Sequence, residues 1–576
     1  MPSAKAGIIP RLLHSSGFSH VSGVHLNEPS NAVRPSACPG LLRIVRALDG
    51  GICRINLAGG ELTAAQAEAV ADAALRHAGG VIETTNRANL QIRGIGTQQQ
   101  ALVDLLLAAG LGPREAAGDD VRNLMLSPSA GIDPQQIVDV RPLAAQILHS
   151  LETRPRLHAL SAKFAVQLDG GEGLAMLEHP HDLWLSAFEA DGQVWLAFGL
   201  AGCPGRDRAL GAVAFDQGHE LVMAVLERFL EVAGPEQSRM RELFANPTGP
   251  IAGRARSHSG DHIALMHPGH PRSHSGDHNA PMHPGHPRSN SGDHTAPMHP
   301  AHPRSHSGDH TAPMHPAHPR SHSGDQTAPM HPGHPQSHQG GQADPMHPGH
   351  PRSPVGAGSA RDGVLPDTPQ AFVDTLGLPI HPTSSERAPA TFKLGIQPQL
   401  QPGLSFIATL APLGRLTPAM LRGAARLARE HGDGTVRITP WQGLLLPNLV
   451  RPQAVLAQLT ALGFITTAEQ PLAALIACTG SAGCAKGLAD TKADARLLAQ
   501  RLPNGQPLSV HLSGCGRSCA SAHVAPATLL ATSPGHYDLY VRDASQPGFG
   551  ALQARHLSLD AAAHLLRGCS RSDTHD

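Results

Sequence analysis

LTAAQAEAVADAALRHAGG (62–80) and LTPAMLRGAARLAREHGDG (416–434) are two versions of one stretch, set 354 residues apart. Each opens on Leu-Thr, continues with apolar residues at helical spacing and closes on glycine. Thr63 and Thr417 stand where helix N-caps belong, since a threonine hydroxyl can accept from the unpaired N–H groups of a first turn. The likeness runs on through the strand-like VIETTNRANLQIRGI (81–95) and TVRITPWQGLLLPNL (435–449), then through the helical QQQALVDLLLAAGLG (98–112) and RPQAVLAQLTALGF (451–464). The register is constant from Leu62/Leu416 through Ile82/Val436 to Ile92/Leu446, and has slipped by one at Gly110/Gly463. A chain that repeats strand, helix, strand, helix in register predicts an α+β half-domain present twice and paired about a pseudo-twofold axis.

A second block follows each half-domain. The first contains VRNLMLSPSAGIDPQQ (121–136), the helical RPLAAQILHSL (141–151) and the strand-like LSAKFAVQLDGG (160–171). The second contains ACTGSAGCAKG (477–487) and HLSGCGRSCA (511–520). Between the copies, from Ser257 to Arg352, SHSGDHxAPMHPGHPR recurs six times at a period of 16 and holds 21 of the 38 histidines. That segment has almost no aliphatic residues to offset the entropy of ordering, and its prolines break helix and strand. The expected organisation is a disordered tail (1–36), half-domain A (37–115), domain B (116–248), a disordered His/Pro-rich linker (249–390), half-domain A′ (391–468), domain B′ (469–565) and a tail (566–576).

Composition excludes several functions. Formal charge is −1 and aromatics are 3%, so neither a basic field nor stacking platforms for nucleic acid are present. No apolar run approaches the length of a membrane span. MPSAKAGIIPRLLHSSG has no continuous apolar core or cleavage pattern, so the expected location is cytoplasmic. Eight cysteines in 576 residues are too sparse for a disulfide scaffold.

Four of those eight fall in two glycine-rich loops: Cys478 and Cys484 at C-x5-C, Cys515 and Cys519 at C-x3-C. Zinc is one candidate, although structural zinc sites favour tighter knuckles. Four thiolates on longer spacers suit a [4Fe–4S] cube better, and small neighbours let backbone N–H groups reach the sulfurs. In TNRANLQIRG (85–94), Arg87, Asn89, Gln91 and Arg93 occupy alternate positions, which on a strand share one face. The second copy has Trp441, Gly443 and Leu445 where the first has Arg87, Asn89 and Gln91. With Arg122 and Lys163 added, the first half carries a candidate cradle for a polycarboxylate beside an electron-transfer centre.

These stretches resemble the sirohaem-dependent nitrite/sulfite reductase superfamily across nearly all of both halves. C-x5-C…C-x3-C is similar to its cluster motif, and TNRANLQIRG, VRNLMLSPSAGIDP and LSAKF are similar to its anion-contacting motifs. The resemblance implies duplicated ferredoxin-like half-domains with two sirohaem-reductase-like α/β domains. It implies that Arg87, Arg93, Arg122 and Lys163 face a tetrapyrrole while Cys478, Cys484, Cys515 and Cys519 hold a [4Fe–4S] cluster. Within the superfamily, ACPGLLRIVRALDGGICRI (37–55), HLSGCGRSCA and TPWQGLLLPNL (439–449) resemble the precorrin-3B synthase family. Ala165 stands where sulfite reductases tend to carry a second lysine, and Gln442 departs from the arginine more usual after Trp441.

This resemblance implies an O2-dependent hydroxylation of precorrin-3A at C20 with γ-lactone formation, in aerobic cobalamin biosynthesis. It further implies a mononuclear non-haem iron, a separate electron-donor protein and NAD(P)H as indirect electron source; no G-x-G-x-x-G follows a strand, so no nicotinamide site is expected on this chain. Sirohaem is the cofactor under the alternative, a sulfite or nitrite reductase. His158, His179, His181, His511 and His523 are candidate iron ligands, but their spacings pick out no triad and no catalytic residue.

Overall fold

The computed structural model describes residues 38–244, 366–383, 387, 392–504 and 508–568. The expected tail 1–36, the histidine repeats and Cys569 lie outside these residues. Four five-stranded sheets carry the described fold.

Two of the sheets belong to the half-domains, and neither is made by one copy alone. The A sheet runs Val45–Ala47, Gly50–Ile55, Leu90–Ile95, Val81–Thr84, and is completed by Arg415–Leu416 from A′. The A′ sheet runs Gly395–Pro398, Ser405–Leu410, Gly443–Leu449, Thr435–Thr439, and is completed by Glu61–Thr63 from A. The exchange is reciprocal: Leu416 pairs with Ile82, and Leu62 with Val436. Leu-Thr therefore does two jobs in each copy. The leucine enters the other copy's sheet, and the threonine caps the helix that follows. Thr63 accepts from the Gln66 N–H at 3.2 Å while the Gln66 side chain accepts from the Thr63 N–H at 3.0 Å. Thr417 accepts from the Met420 N–H at 3.1 Å. The helices Ala64–His77 and Pro418–His431 pack on each other, and one apolar core takes in both copies.

Domains B and B′ repeat one topology. In B, Leu124–Leu126, Val166–Asp169 and Leu183–Ala190 are parallel, followed by antiparallel Gln193–Leu200 and Gly211–Ala214. In B′, Leu475–Ala477, Val510–Ser513 and Ala527–Ser533 are parallel, followed by antiparallel His536–Val541 and Ala551–Ser558. The duplication thus covers the whole A–B unit.

Two boundaries differ from expectation. Residues 366–383 fall in the expected linker, yet the helix Pro369–Asp374 buries Phe372 and Val373 in the core of B, and His381 bridges to Ala212. This short segment carries the apolar side chains that the repeats lack, so it gains enough burial to fold. At the other end, the helix Leu559–Gly568 buries Leu566 and continues past the expected limit at 565. No helix among the described residues is long and apolar enough to cross a membrane.

Candidate functional site

The turn between Val81–Thr84 and Leu90–Ile95 aims the first candidate cation. Thr85 accepts from the N–H groups of Arg87 and Asn89 at 3.3 and 3.1 Å, and Ala88 takes φ 55°. Gln442, its counterpart in A′, takes φ 62°. Asn89 turns inward and accepts from the Leu57 N–H at 2.8 Å. Arg87 thereby projects into a cavity of about 600 Å³ bounded by this turn, by segments of B and by the 516–524 loop of B′.

Six cationic side chains line that cavity: Arg54, Arg87, Lys163, Arg239, Arg241 and Arg517. Burial, then the neighbouring Arg239 guanidinium, push Arg87 down to about 10, which leaves it charged at neutral pH. Asp182 is the counter-ion on this wall. It receives Arg239 Nε at 2.8 and 2.9 Å, the Met240 N–H at 2.8 Å and the Ala165 N–H at 2.9 Å. Arg54 is held from across the strand pair by its register partner Gln91, whose amide oxygen, correctly oriented, accepts at 2.9 and 3.1 Å.

Of the four cations expected here, Arg87 and Lys163 line the cavity and Arg93 and Arg122 do not. Arg93 shares a strand face with Gln91, two residues further from the turn, and does not reach the cavity. It forms a two-pronged pair with Asp49 at 2.8 and 2.9 Å and donates to the Gly483 carbonyl at 3.3 Å. Arg122 donates to the Gly112 and Leu111 carbonyls at 3.2 and 3.3 Å and lies 3.6 and 3.7 Å from Asp119 and Glu152. The strand starts only at Leu90, so Arg87 stands in the preceding turn and not in alternation with Gln91 and Arg93. Arg54 was within reach of sequence reasoning, since a polar face on one strand extends to its neighbour. Arg239 and Arg241 give no such signal.

The two cysteine loops follow adjacent parallel strands of B′. Cys478 succeeds Leu475–Ala477, and Cys515 succeeds Val510–Ser513 by one glycine. Gly514 donates its N–H to Cys478 Sγ at 3.2 Å. A Cβ on Gly487 would stand 2.6 Å from Gly480 backbone, and Gly480 itself needs φ 67°. Burial, then the three other sulfurs of Cys515, Cys478 and Cys484, push the Cys519 thiol above its ordinary value. Four thiols on two adjacent loops, an amide aimed at sulfur and loops with no room for side chains fit a cluster bound by cysteines. Cys519 also lines the cavity, so the loops and the anion site share a wall.

Domain B has the same loop with other chemistry. Ser127 and Asp133 take the C-x5-C positions, with Ser129 donating to Asp133 at 2.7 Å and Ser127 donating to the Leu174 carbonyl at 2.8 Å.

Three of the candidate histidines gather at the B–B′ seam. His179 and His523 have ring centroids 5.1 Å apart, and His181 Nδ1 lies 2.8 Å from the His179 carbonyl. His181 and His523 line the cavity. Burial holds His181 down at about 3 and His511 at about 4, so both are neutral at pH 7. His158 lies apart, hydrogen-bonded to the Glu152 carbonyl. Among the described residues no three His, Cys, Asp or Glu side chains converge on a single ion, so the expected mononuclear iron finds no ligand set there.

Comparison with known proteins accords with this architecture. Residues 117–246 match the nitrite and sulphite reductase 4Fe-4S domain, and residues 46–109 and 397–456 each match the nitrite/sulfite reductase ferredoxin-like half domain. Both halves of the chain are thus similar to nitrite and sulfite reductases. The matched 4Fe-4S range is the copy without the four cysteines, which reflects the shared topology of B and B′. Ferredoxin–nitrite reductase of maize is 25% identical over 497 residues, covering 82% of this chain and 68% of the maize protein. Precorrin-3B synthase of a Sinorhizobium species is 28% identical over 208 residues, covering 36% of this chain and 44% of that enzyme. The solved structure of Mycobacterium tuberculosis NirA shares the fold, with a TM-score of 0.59 at 16% identity over 90% of this chain and 79% of that one. The matched domain is described as a 4Fe-4S domain, and the maize relative is a ferredoxin-dependent nitrite reductase.

Proposed function

We propose that the cavity binds precorrin-3A and that the chain hydroxylates it at C20 with O2, closing a γ-lactone from the ring A acetate: the precorrin-3B synthase reaction. The observation that carries this reading is the set of six cations around a cavity whose wall includes Cys519. A modified tetrapyrrole bears several acetate and propionate arms, and guanidinium groups grip carboxylates by paired, charge-assisted hydrogen bonds. Arg87 and Arg239 supply such donors on one wall, Arg54 and Arg517 on others. One oxygen atom of O2 enters the substrate; the other leaves as water and needs two electrons and two protons. A [4Fe–4S] cluster, when bound by Cys478, Cys484, Cys515 and Cys519, supplies electrons one at a time from a separate donor protein, with NAD(P)H the ultimate source. His181 faces the cavity uncharged.

A sirohaem-dependent nitrite or sulfite reductase is the second reading. It is favoured by Cys519, which stands where a thiolate could join a cluster to a haem iron. Against it, Ala165 is buried, commits its N–H to Asp182 and puts no second cation beside Lys163. One experiment separates the two. Protein purified without oxygen is examined by optical and paramagnetic spectroscopy, then given precorrin-3A, O2 and a reductant. The first reading expects cluster signals, no sirohaem Soret band and substrate-dependent O2 uptake. Bound sirohaem with viologen-driven nitrite or sulfite reduction would establish the second.

A further inference from the structure

Between half-domain A and the cysteine loops lies a buried charge network that the cavity does not use. Glu83 is its centre: Arg415 Nε is 3.0 Å away, Lys492 Nζ 3.7 Å and Arg93 Nη1 3.8 Å. Asp49 closes the far side on Arg93 at 2.8 Å. Glu83, Arg93 and Lys492 are 8%, 5% and 4% exposed. Three cations thus face two carboxylates in a region shielded from water.

The network touches the cysteine loops at three points. Arg93 donates to the Gly483 carbonyl at 3.3 Å, one residue before Cys484. The Thr479 hydroxyl donates to Glu83 at 3.5 Å, one residue after Cys478. Lys492 donates to the Ala477 carbonyl at 3.1 Å, one residue before Cys478, and also to the Leu413 carbonyl. As a stability device this arrangement is poor, because burying charges costs desolvation that apolar packing of the same volume would avoid. Its position suggests a different use. Charge in a low-dielectric region acts at long range, and an excess of positive charge favours the more negative, reduced form of a neighbouring redox centre.

We propose that the Asp49–Arg93–Glu83–Lys492–Arg415 network sets the reduction potential of the centre held by the Cys478 and Cys484 loops, raising it through its one uncompensated positive charge. The inference rests on the reading that the four cysteines bind a [4Fe–4S] cluster, and it holds for either reaction above.

The test is a paramagnetically monitored redox titration of the full chain, purified without oxygen. Lys492→Met removes a cation and lowers the midpoint. Glu83→Gln removes an anion and raises it. Each shift is expected to be at least tenfold in the reduction equilibrium, about 59 mV for a one-electron couple. Opposite signs are the diagnostic readout, since merely loosening the loops would move both variants the same way. If Lys492→Met fails to fold, Arg415→Gln, at a more exposed member of the network, takes its place with the same expected sign. Midpoints that stay put, or move together, at wild-type iron and sulfide content overturn the proposal alone. A wild-type chain free of iron and sulfide overturns the cluster reading and the proposal with it.

Discussion

Arg87 and Arg93 are six residues apart and do unlike work. The first lines a cavity from a turn, and the second is locked to Asp49 under the cysteine loops. Arg87→Leu is therefore expected to weaken binding of a carboxylated tetrapyrrole by about 10- to 100-fold, the worth of a charge-assisted hydrogen bond or two, with the urea midpoint close to wild type. Arg122→Leu should do the reverse, because it strands Glu152 and Asp119 in a buried site. Stability should drop by on the order of 3 kcal/mol, read by urea unfolding, with tetrapyrrole affinity retained in the folded fraction by fluorescence titration. In the cysteine loops, Gly487→Ala forces a methyl group against Gly480 backbone. The expected result is a sharp loss of iron and sulfide per chain while far-ultraviolet circular dichroism is unchanged.

The exchanged Leu-Thr element joins the two copies. Leu62 and Leu416 are buried in the partner copy's sheet, and each is followed by the capping threonine of its helix. Thr63→Ala removes a reciprocal capping box and should cost about 1 kcal/mol. Leu62→Ala should cost more, about 2–5 kcal/mol, since it opens a cavity in the common core and weakens the pairing to Val436. Calorimetry should show A and A′ melting together in both variants, because one apolar cluster spans both copies. Separate transitions for the two halves would contradict the exchange.

Across the whole molecule, the B–B′ seam ties stability to pH. His179, His181 and His511 are all pushed down by burial, His181 to about 3 and His511 to about 4. Unfolded histidine titrates near 6.5, so on acidification the unfolded chain takes up protons that the folded chain refuses. The stabilisation is complete above about 6.5 and is lost as pH falls toward the folded values, by up to about 1.4 kcal/mol per pH unit for each histidine. Urea midpoints should fall from pH 7 to pH 5, and His511→Gln should flatten that slope. Ring nitrogens of His179, His511 and His523 are buried without protein partners, as are Trp184 Nε1, Gln167 Oε1 and Thr528 Oγ1 in the sheets of B and B′. Buried polar groups of this kind are served by ordered water.

By itself the amino-acid sequence determined what is local or repeated. The register of 62–95 against 416–449 predicted the doubled α+β unit, Thr63 and Thr417 marked the caps, and two short spacings picked out the four cysteines, because each of these depends on neighbours along the chain. Tertiary structure decided the rest. It decided that Leu62 and Leu416 cross over, that 366–383 folds back onto B, and that Arg54, Arg239 and Arg517 join Arg87 while Arg93 and Arg122 turn to carboxylates elsewhere. Which of two charged partners a guanidinium meets depends on groups tens to hundreds of residues away, and strand pairing and burial set that distance.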